Sequence, residues 1–397
     1  MKSNRVKDIS ASKTLEITKI ANEMKSLGKE VINFAAGEPD FFTPKNIQDA
    51  AIKAIREGKT KYTATSGLSD LKKEIIKKLK YDNNIEYKEE QILVSTGAKQ
   101  CLANIFLSIL NDSDEVILLS PYWTSYPELI KIAGGKSVFL TGNHKNNYKI
   151  NKLDLEKIIT DKTKAIIINS PSNPTGVIYD KKELEEIAEV CKKYNLIIIS
   201  DEIYEKLSYD RKKHISIASL SEDSYKRTLV VNGFSKAYAM TGWRLGYVAG
   251  DREVISYMTK LQSHTTSNPN TISQYAAIEA LKGSQKELEN MVIEFESRRN
   301  LTVNILNNIK EVSYIKPEGA FYVMIDVSKL YNTYINNYYI NNSDSFCKFF
   351  LEEENVAVIP GSAFGADNYI RISFATSREN ITKGLEKLQN FINKLKF

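Results

Sequence analysis

The sequence has few cysteines and no long apolar segment. Only Cys101, Cys191 and Cys347 occur among 397 residues, and no two of them form the Cys-x-x-Cys pair of zinc or redox sites. No apolar run approaches the ~20 residues that cross a bilayer. Residues 1–9 alternate polar and charged side chains and lack the apolar core of a signal peptide. We therefore expect a cytoplasmic protein that does not bind a membrane.

The chain also lacks a strong excess of charge and a cluster of histidines. Its 55 Lys and Arg against 49 Asp and Glu leave a formal net charge of +6, spread along the chain. A nucleic-acid site would need a clustered basic stripe. His144, His214 and His264 have no metal-ligand spacing relative to one another. We predict neither a nucleic-acid partner nor a metal.

What the sequence does contain is an alternation of short apolar runs and longer helical stretches after residue 91, which is typical of an α/β fold. Several runs are apolar at every position, as in strands covered by helices on both faces. The pattern predicts a mostly parallel sheet of about seven strands. The runs lie at 92–94, 116–119, 138–140, 165–168, 196–199, 229–231 and 245–249.

The two ends of the chain have different patterns. Helical spacing predicts an amphipathic helix over 14–27, capped by Thr14 and ended by Gly28. After residue 285, a long charged helix and short strands indicate a smaller α+β unit. The segment 331–342 is rich in Asn and Tyr, and we interpret it as a surface insertion.

Residues that follow the predicted strands are candidates for chemistry, because ligands bind beyond the carboxyl ends of strands in an open α/β sheet. Gly97 and Ala98 open a helix, where amides attract an anion, although any strand-to-helix turn favours glycine. Trp123 is either a core residue or a binding residue. Asp201 is either a helix N-cap or the partner of a buried cation. Lys236 would be an ordinary surface lysine in a different context.

The context of Lys236 resembles a known family. Gly233-Phe234-Ser235-Lys236, followed eight residues later by Arg244, is similar to the cofactor-lysine signature of class I and II aminotransferases, which are pyridoxal-phosphate enzymes of fold type I. Within that family, the chain most resembles a bacterial subgroup of aspartate and prephenate aminotransferases. Further segments appear in the family's order at 37–41, 61–62, 120–123, 170–176, 200–204, 319–322 and 371–375.

The resemblance implies the cofactor pyridoxal 5′-phosphate and a role for each matching residue. Lys236 would bind the cofactor aldehyde covalently and later act as general base and acid. Asp201 would pair with the pyridine nitrogen. Tyr204 and Asn173 would hydrogen-bond the 3′-oxygen, and Trp123 would stack on the ring. By this assignment, Lys236, Asp201 and Tyr204 form the catalytic set.

The same resemblance implies a phosphate site and a dimer. The phosphate would bind the amides of Gly97 and Ala98, with Ser235 and Arg244 around it. Tyr62 resembles the tyrosine that reaches the phosphate of the neighbouring subunit. We therefore expect a homodimer with shared active sites.

Substrate binding is implied for five residues. Arg371 would hold the α-carboxylate of an amino acid, assisted by the backbone near Gly37, although a surface arginine on a strand is the alternative. Lys99 would bind the distal carboxylate of aspartate, glutamate or their oxo acids. Trp123 and Asn173 would also contact the substrate. Members active on prephenate carry a basic or amide side chain at a position that aligns with Ser10 here.

These roles predict an aspartate aminotransferase that converts L-aspartate and 2-oxoglutarate to oxaloacetate and L-glutamate in a ping-pong cycle between the pyridoxal and pyridoxamine forms of the cofactor. The alternatives are an aromatic, alanine or prephenate aminotransferase, or a C–S β-lyase, because fold alone does not exclude them. A non-enzymatic regulator on the same fold is a further alternative. We expect an amino-terminal arm with part of the small unit at 1–45, a large cofactor-binding unit at 46–284 and a small unit at 285–397.

Overall fold

A computed structural model describes residues 7–142 and 146–396 of the protein. The predicted α/β class is confirmed by a seven-stranded sheet in which five neighbouring strands run parallel. His144 lies outside the described residues. The strands are β1 (Ile32–Asn33), β2 (Ile92–Ser95), β3 (Glu115–Ser120), β4 (Lys136–Thr141), β5 (Thr163–Asn169), β6 (Ile197–Asp201), β7 (Thr228–Gly233), β8 (Gly246–Ala249), β9 (Ser313–Ile315), β10 (Tyr322–Asp326), β11 (Thr333–Ile335), β12 (Tyr338–Ile340), β13 (Val356–Ala357), β14 (Ile359–Pro360) and β15 (Tyr369–Ser373).

The large sheet has the strand order β2-β8-β7-β6-β5-β3-β4. Strand β8 runs antiparallel to both of its neighbours, β2 and β7. Every residue of β2, β7 and β8 is buried, as expected for strands that are covered on both faces. The seven apolar runs of the sequence therefore all form strands of one sheet.

Helices cover this sheet and fill the rest of the fold. In the described part of the chain they are α1 (Lys13–Ser26), α2 (Lys45–Arg56), α3 (Ser69–Asn83), α4 (Ala98–Ile109), α5 (Ser125–Ile132), α6 (Lys152–Lys157), α7 (Lys181–Lys193), α8 (Glu222–Arg227), α9 (Arg252–Thr265), α10 (Thr271–Lys282), α11 (Lys286–Leu306), α12 (Ser343–Glu354) and α13 (Arg378–Lys394). Short 3₁₀ turns lie at Glu89–Gln91, Ile217–Ser219, Ser328–Leu330 and Gly361–Phe364. Within the described ranges, none of the helices combines the length and the apolar character needed to span a bilayer.

The cap predicted for the first helix is wrong by two residues. The side chain of Ser12, not Thr14, accepts the hydrogen bond from the Leu15 amide, so α1 begins at Lys13. Both residues are good N-caps by composition. Ser12 takes the position because its backbone is extended, whereas Thr14 already belongs to the first helical turn.

A second, four-stranded sheet has the order β14-β15-β10-β9 and is antiparallel. The amino-terminal strand β1 pairs in parallel with β13, so the start of the chain packs against its carboxy-terminal part. The division of the chain at residues 45 and 284 stays a prediction.

The Asn- and Tyr-rich segment forms the hairpin of β11 and β12. Thr333, Ile335 and Ile340 are buried, while Tyr334 and Tyr338 face outward. Burial alternates along β11, whereas in β12 only Ile340 is buried, so the hairpin rests on three buried side chains that the polar composition of the segment obscures in the sequence. The three cysteines are buried and form no disulfide.

A buried ionic cluster ties the turn after β6 to helix α3. Glu205 accepts from the Lys78 ammonium and, at 2.7 Å, from Asn83. Glu202 lies 3.0 Å from His214 and accepts a hydrogen bond from Ser200 at 2.8 Å. Burial raises the pKa of Glu205, but the nearby cations outweigh that effect and bring it to about 2. The cluster therefore holds the segment that follows Asp201 in one conformation.

We expect Lys78→Met to lower the free energy of unfolding by about 3 kcal/mol, because it leaves the buried Glu205 carboxylate without its main counter-charge. Urea unfolding followed by circular dichroism measures the change. Lys77→Met is the matched control, since Lys77 is an exposed neighbour on the same helix and its pair with Glu74 contributes roughly 0.5 kcal/mol or less. Equal effects of the two substitutions would contradict the importance of the buried pair.

Candidate active site

A cavity of about 410 Å³ lies beyond the carboxyl ends of the central strands of the large sheet. Its size lies within the range of small-molecule sites. The fold brings most of the predicted site residues into the lining of this cavity. These are Gly37, Ala98, Lys99, Trp123, Asn173, Asp201, Tyr204, Ser235, Lys236, Arg244 and Arg371.

Lys236 lies in the turn that follows strand β7, and its amine points into the cavity. The Nζ atom donates a hydrogen bond of 2.5 Å to the backbone oxygen of Gly37. Burial lowers the pKa of Lys236 to about 8, and Arg371 and Arg244 act in the same direction. With a pKa of about 8, roughly a tenth of this amine is uncharged at pH 7, far more than for an ordinary lysine, and the uncharged form is the one that a nucleophile or a general base requires.

Asp201 is the last residue of strand β6 and is only 4% exposed. Of the two alternatives from the sequence, the helix N-cap is wrong, because turns and not a helix follow this residue. Its Oδ2 atom accepts a hydrogen bond of 2.7 Å from the hydroxyl of Tyr126, and its Oδ1 atom accepts one of 3.3 Å from the Ile203 amide. Burial raises the pKa of Asp201 to about 6, although both hydrogen bonds oppose the rise. Asp201 is thus mainly a carboxylate at neutral pH.

The register of the sheet explains how the loop after β5 reaches this acid. Asn169 pairs with Asp201 across β5 and β6 and donates 3.0 Å to its backbone oxygen. The side chain of Asn169 in turn accepts from the amide of Asn173 at 2.8 Å. Asn173 is thereby held at the edge of the cavity, near Arg371, to which it is hydrogen-bonded.

One end of the cavity is suited to an anion. Helix α4 begins at Ala98, directly after Gly97, whose φ is +85°. A Cβ atom on Gly97 would lie 2.5 Å from Nη2 of Arg244, so only glycine permits this approach. Burial and the charge of Arg244 lower the pKa of Lys99. Two cations and a helix N-terminus therefore face the same space.

The other end contains the guanidinium of Arg371, which is 2% exposed on strand β15. It lies between the rings of Tyr322 and Phe364, at 4.2 and 4.9 Å from their centroids. It donates to Asn173 at 2.9 Å and to the backbone oxygen of Ala35 at 3.2 Å. Among the described residues no carboxylate pairs with it, and its buried Nε atom has no hydrogen-bond partner. The interpretation of Arg371 as a surface arginine is therefore wrong. Its unpaired positive charge and its unused N–H donor suit the carboxylate of a ligand.

Tyr204 and Trp123 complete the walls of the cavity. The hydroxyl of Tyr204 lies 2.9 Å from that of Tyr322. The ring of Trp123 meets the ring of Tyr126 edge to face, with centroids 5.3 Å apart. Nζ of Lys99 lies 5.0 Å from the Trp123 ring. Trp123 is thus partly accessible from the cavity rather than a core residue alone.

This donor set fits pyridoxal 5′-phosphate. The partly buried amine of Lys236 has a lowered pKa and suits the cofactor aldehyde, the buried carboxylate of Asp201 suits the ring nitrogen, and the anion site suits the phosphate. Gly97 belongs to this anion site, since a Cβ atom at that position would collide with Arg244.

Two predicted residues, Gly97 and Tyr62, are not in the lining of the cavity. Gly97 lies directly behind Ala98, and its amide donates to the backbone oxygen of Ser95 at 2.8 Å. Tyr62 lies elsewhere. Its side chain is 89% exposed, in a groove with residues 268–272. It makes no contribution to the cavity of its own chain, and its predicted role toward a neighbouring subunit stays a prediction.

Sequence reasoning missed several lining residues. Tyr322 lies in a segment that the resemblance already contains, so a signal for it existed. Tyr126 and the α1 residues Thr14, Leu15 and Thr18 carried none, because only the tertiary fold places them at the cavity.

The spacing of the three histidines in the sequence also gives no sign of a cluster formed by one histidine and two glutamates. Ligand atoms of Glu202, Glu205 and His214 lie within 4.8 Å of one another, which is compatible with a metal ion. Lys78 and Asn83 already occupy the carboxylate of Glu205. The absence of a metal stays a prediction.

Comparisons with known proteins agree with the geometry. Residues 29–388 match the sequence pattern of the family described as aminotransferase class I and II. The aspartate aminotransferase of Bacillus sp. (strain YM-2) is 51% identical over 389 residues, which cover 98% of each chain. The probable aspartate/prephenate aminotransferase of Rickettsia conorii is 46% identical over 393 residues, again 98% of each chain.

Solved structures show the same similarity in three dimensions. The aspartate aminotransferase from Rhizobium meliloti has a TM-score of 0.96 at 40% identity and covers 100% of both chains. The Thermus thermophilus aspartate aminotransferase with maleate has a TM-score of 0.93 at 37% identity and covers 98% of this chain and 99% of that one.

Proposed function

We infer the function from the premise that this chain belongs to the class I and II aminotransferase family, whose members transfer amino groups with pyridoxal 5′-phosphate. The reaction proposed is L-aspartate and 2-oxoglutarate to oxaloacetate and L-glutamate, as the names of its relatives suggest. The observation that carries this choice is the pair of cations Arg371 and Lys99 in one cavity. A dicarboxylic substrate offers one carboxylate to each.

When bound, the cofactor supplies an electron sink for the bond that breaks at the substrate Cα atom. The chain's part of the chemistry begins with Lys236, which we assign as the residue that binds the cofactor aldehyde. Because its pKa is about 8, the released amine can accept the proton from the substrate Cα atom and deliver it to the C4′ atom of the cofactor. Arginine could not replace it, since a guanidinium does not lose its proton in proteins.

Asp201 is assigned to the ring nitrogen, where an ionised carboxylate keeps a proton in place. Tyr204 and Asn173 are assigned to the 3′-oxygen, and Trp123 to the face of the ring. The amide of Ala98, with Ser235 and Arg244, is assigned to the phosphate, whereas the Gly97 amide donates to the backbone oxygen of Ser95. The burial of Asp201 and the partial burial of Lys236 support these roles, because they limit the water that would weaken charge interactions.

Substrate selection is assigned to the two remaining cations. Arg371 would take the α-carboxylate, with the backbone at Gly37 beside it, and Lys99 the distal carboxylate. We do not extend the proposal to prephenate. Ser10 carries no charge, lies outside the lining of the cavity, and its backbone amide donates to Glu128 at 2.9 Å.

We also propose a cytoplasmic homodimer. Phe42 and Tyr62 are apolar or aromatic side chains that are 92% and 89% exposed, which favours their burial against a second copy. Tyr62 would then reach the phosphate of the partner subunit. The three unpaired cysteines support a reducing compartment.

Borohydride reduction tests the covalent assignment directly. We expect peptide mapping of the reduced holoenzyme to find the cofactor on Lys236 alone. Before reduction, L-aspartate and L-glutamate should change the absorbance of the bound cofactor at lower concentrations than L-alanine or L-phenylalanine. A label on another lysine would contradict the assignment of Lys236. If L-alanine changed the absorbance at a lower concentration than L-aspartate, the proposed substrate would be wrong.

Lys99→Gln should raise the KM for L-aspartate by roughly 10- to 100-fold, because it removes a charge-assisted contact with the distal carboxylate. The KM for L-alanine, which lacks that carboxylate, should stay within about twofold. Steady-state kinetics with both donors provides the measurement. Lys192→Gln serves as the control, since Lys192 is exposed and outside the cavity. A parallel rise for both donors would remove Lys99 from this role.

Hybrid dimers test the shared site. A Lys236→Ala subunit and a Tyr62→Ala subunit are each impaired, but their hybrid contains one site with both residues intact if Tyr62 acts across the interface. Co-expressed and randomly mixed, they should recover about a quarter of the wild-type activity. An activity equal to the mean of the two parent dimers would show that Tyr62 does not act on its partner.

A further inference from the structure

The hydroxyl of Tyr126 is a buried group that the assignments above leave without a role. Tyr126 is the second residue of helix α5 and is fully enclosed. It donates a hydrogen bond of 2.7 Å to Oδ2 of Asp201, which lies 75 positions later in the chain. In the part of the chain that the structure describes, it is the side chain that hydrogen-bonds this carboxylate.

The remaining contact of the carboxylate is weaker. Oδ1 accepts from the amide of Ile203 at 3.3 Å, which is long for a hydrogen bond to a charged acceptor. The terminal torsion of an aspartate side chain has broad minima, so its plane is set by hydrogen bonds rather than by rotamer preference. The orientation of Asp201 therefore depends mainly on the hydroxyl of Tyr126.

The same side chain also supports the wall of the cavity. Its ring meets the ring of Trp123 at 5.3 Å with an interplanar angle of 86°, a favourable edge-to-face arrangement. Tyr126 thus connects the acid assigned to the ring nitrogen with the aromatic residue assigned to the ring face. The hydroxyl acts on the first and the ring on the second.

The hydroxyl of Tyr126 also affects the ionisation of Asp201. Burial favours the neutral form of Asp201, and the hydrogen bond from Tyr126 favours the charged form. A phenol that donates to a carboxylate lowers the energy of the anion without adding a charge of its own. The hydroxyl therefore helps Asp201 to remain ionised in a site that excludes water.

We propose that Tyr126 is a positioning residue that fixes the plane of the Asp201 carboxylate and maintains its charge toward the cofactor ring nitrogen. This inference rests on the proposed function, because it presumes that the cofactor binds beside Asp201. Tyr126 of helix α5 would thus support the reaction through its hydroxyl group, without contacting the substrate.

The substitution Tyr126→Phe removes the hydroxyl and keeps the ring against Trp123. We expect the dissociation constant of pyridoxal 5′-phosphate to rise and kcat to fall, each by roughly tenfold, as for one lost hydrogen bond to a charged group. The KM for L-aspartate should stay within about twofold, because Tyr126 is not assigned to substrate. Equilibrium titration of the cofactor-free protein measures the first quantity and steady-state kinetics the others.

The double variant with Asp201→Asn separates positioning from a general structural role. If Tyr126 acts through Asp201, Tyr126→Phe should weaken cofactor binding by less than about twofold in the Asp201→Asn background. Tyr225→Phe is the control, since it removes a hydroxyl that donates to a backbone oxygen at 3.0 Å outside the cavity. It should leave cofactor affinity unchanged.

Tyr126→His covers the case in which the phenylalanine variant does not fold, because an imidazole keeps an N–H donor at this position. It should retain a cofactor affinity closer to that of the wild type than an Asp201→Asn protein does. Unchanged affinity and kcat in Tyr126→Phe, equal losses in both backgrounds, or no advantage of histidine would overturn the positioning role. A wild-type protein that does not hold the cofactor on Lys236 would instead contradict the proposed function.

Discussion

The architecture of this protein depends on keeping an amine, a carboxylate and a guanidinium out of water in one cavity. Asp201 and Arg371 are buried there and Lys236 is partly buried, and isolated charges in such surroundings are strongly unfavourable. The fold compensates each with fixed dipoles: a backbone oxygen for the amine, a tyrosine hydroxyl for the acid, and aromatic faces with an amide for the guanidinium. The lowered pKa of Lys236 and the raised pKa of Asp201 follow from that burial.

That requirement explains why distant parts of the chain meet at the cavity. The large sheet supplies Asp201 and Lys236 from the ends of two neighbouring parallel strands. The amino-terminal segment supplies Gly37, and strand β15 of the second sheet supplies Arg371. These last two segments are joined directly, because the Ser373 amide donates to the backbone oxygen of Phe34 at 2.9 Å and Arg371 donates to that of Ala35. The ionic cluster of Lys78, Glu202, Glu205 and His214 then holds the turn that follows Asp201 from the side away from the cavity.

Much of this arrangement could be predicted from the sequence. The apolar runs predicted seven strands because a strand buried on both faces needs apolar residues throughout. The positions of Asp201 and Lys236 at the ends of such runs placed them at one edge of the sheet. Local details were less accurate. Ser12 and Thr14 are equivalent as caps by composition, and the polar composition of segment 331–342 concealed the three buried side chains of its hairpin.

Periodicity and local motifs depend on neighbours along the chain, and they were enough to predict the fold class, the family and the candidate site residues. The groups that surround those residues could be identified only from the three-dimensional fold. The contact of Tyr126 with Asp201 spans 75 positions, that of Lys236 with Gly37 spans 199, and that of Arg371 with Asn173 spans 198. Such pairs have no periodic signature, since they arise from the packing of whole elements. Those contacts determine the surroundings of Lys236, Asp201 and Arg371 in the cavity.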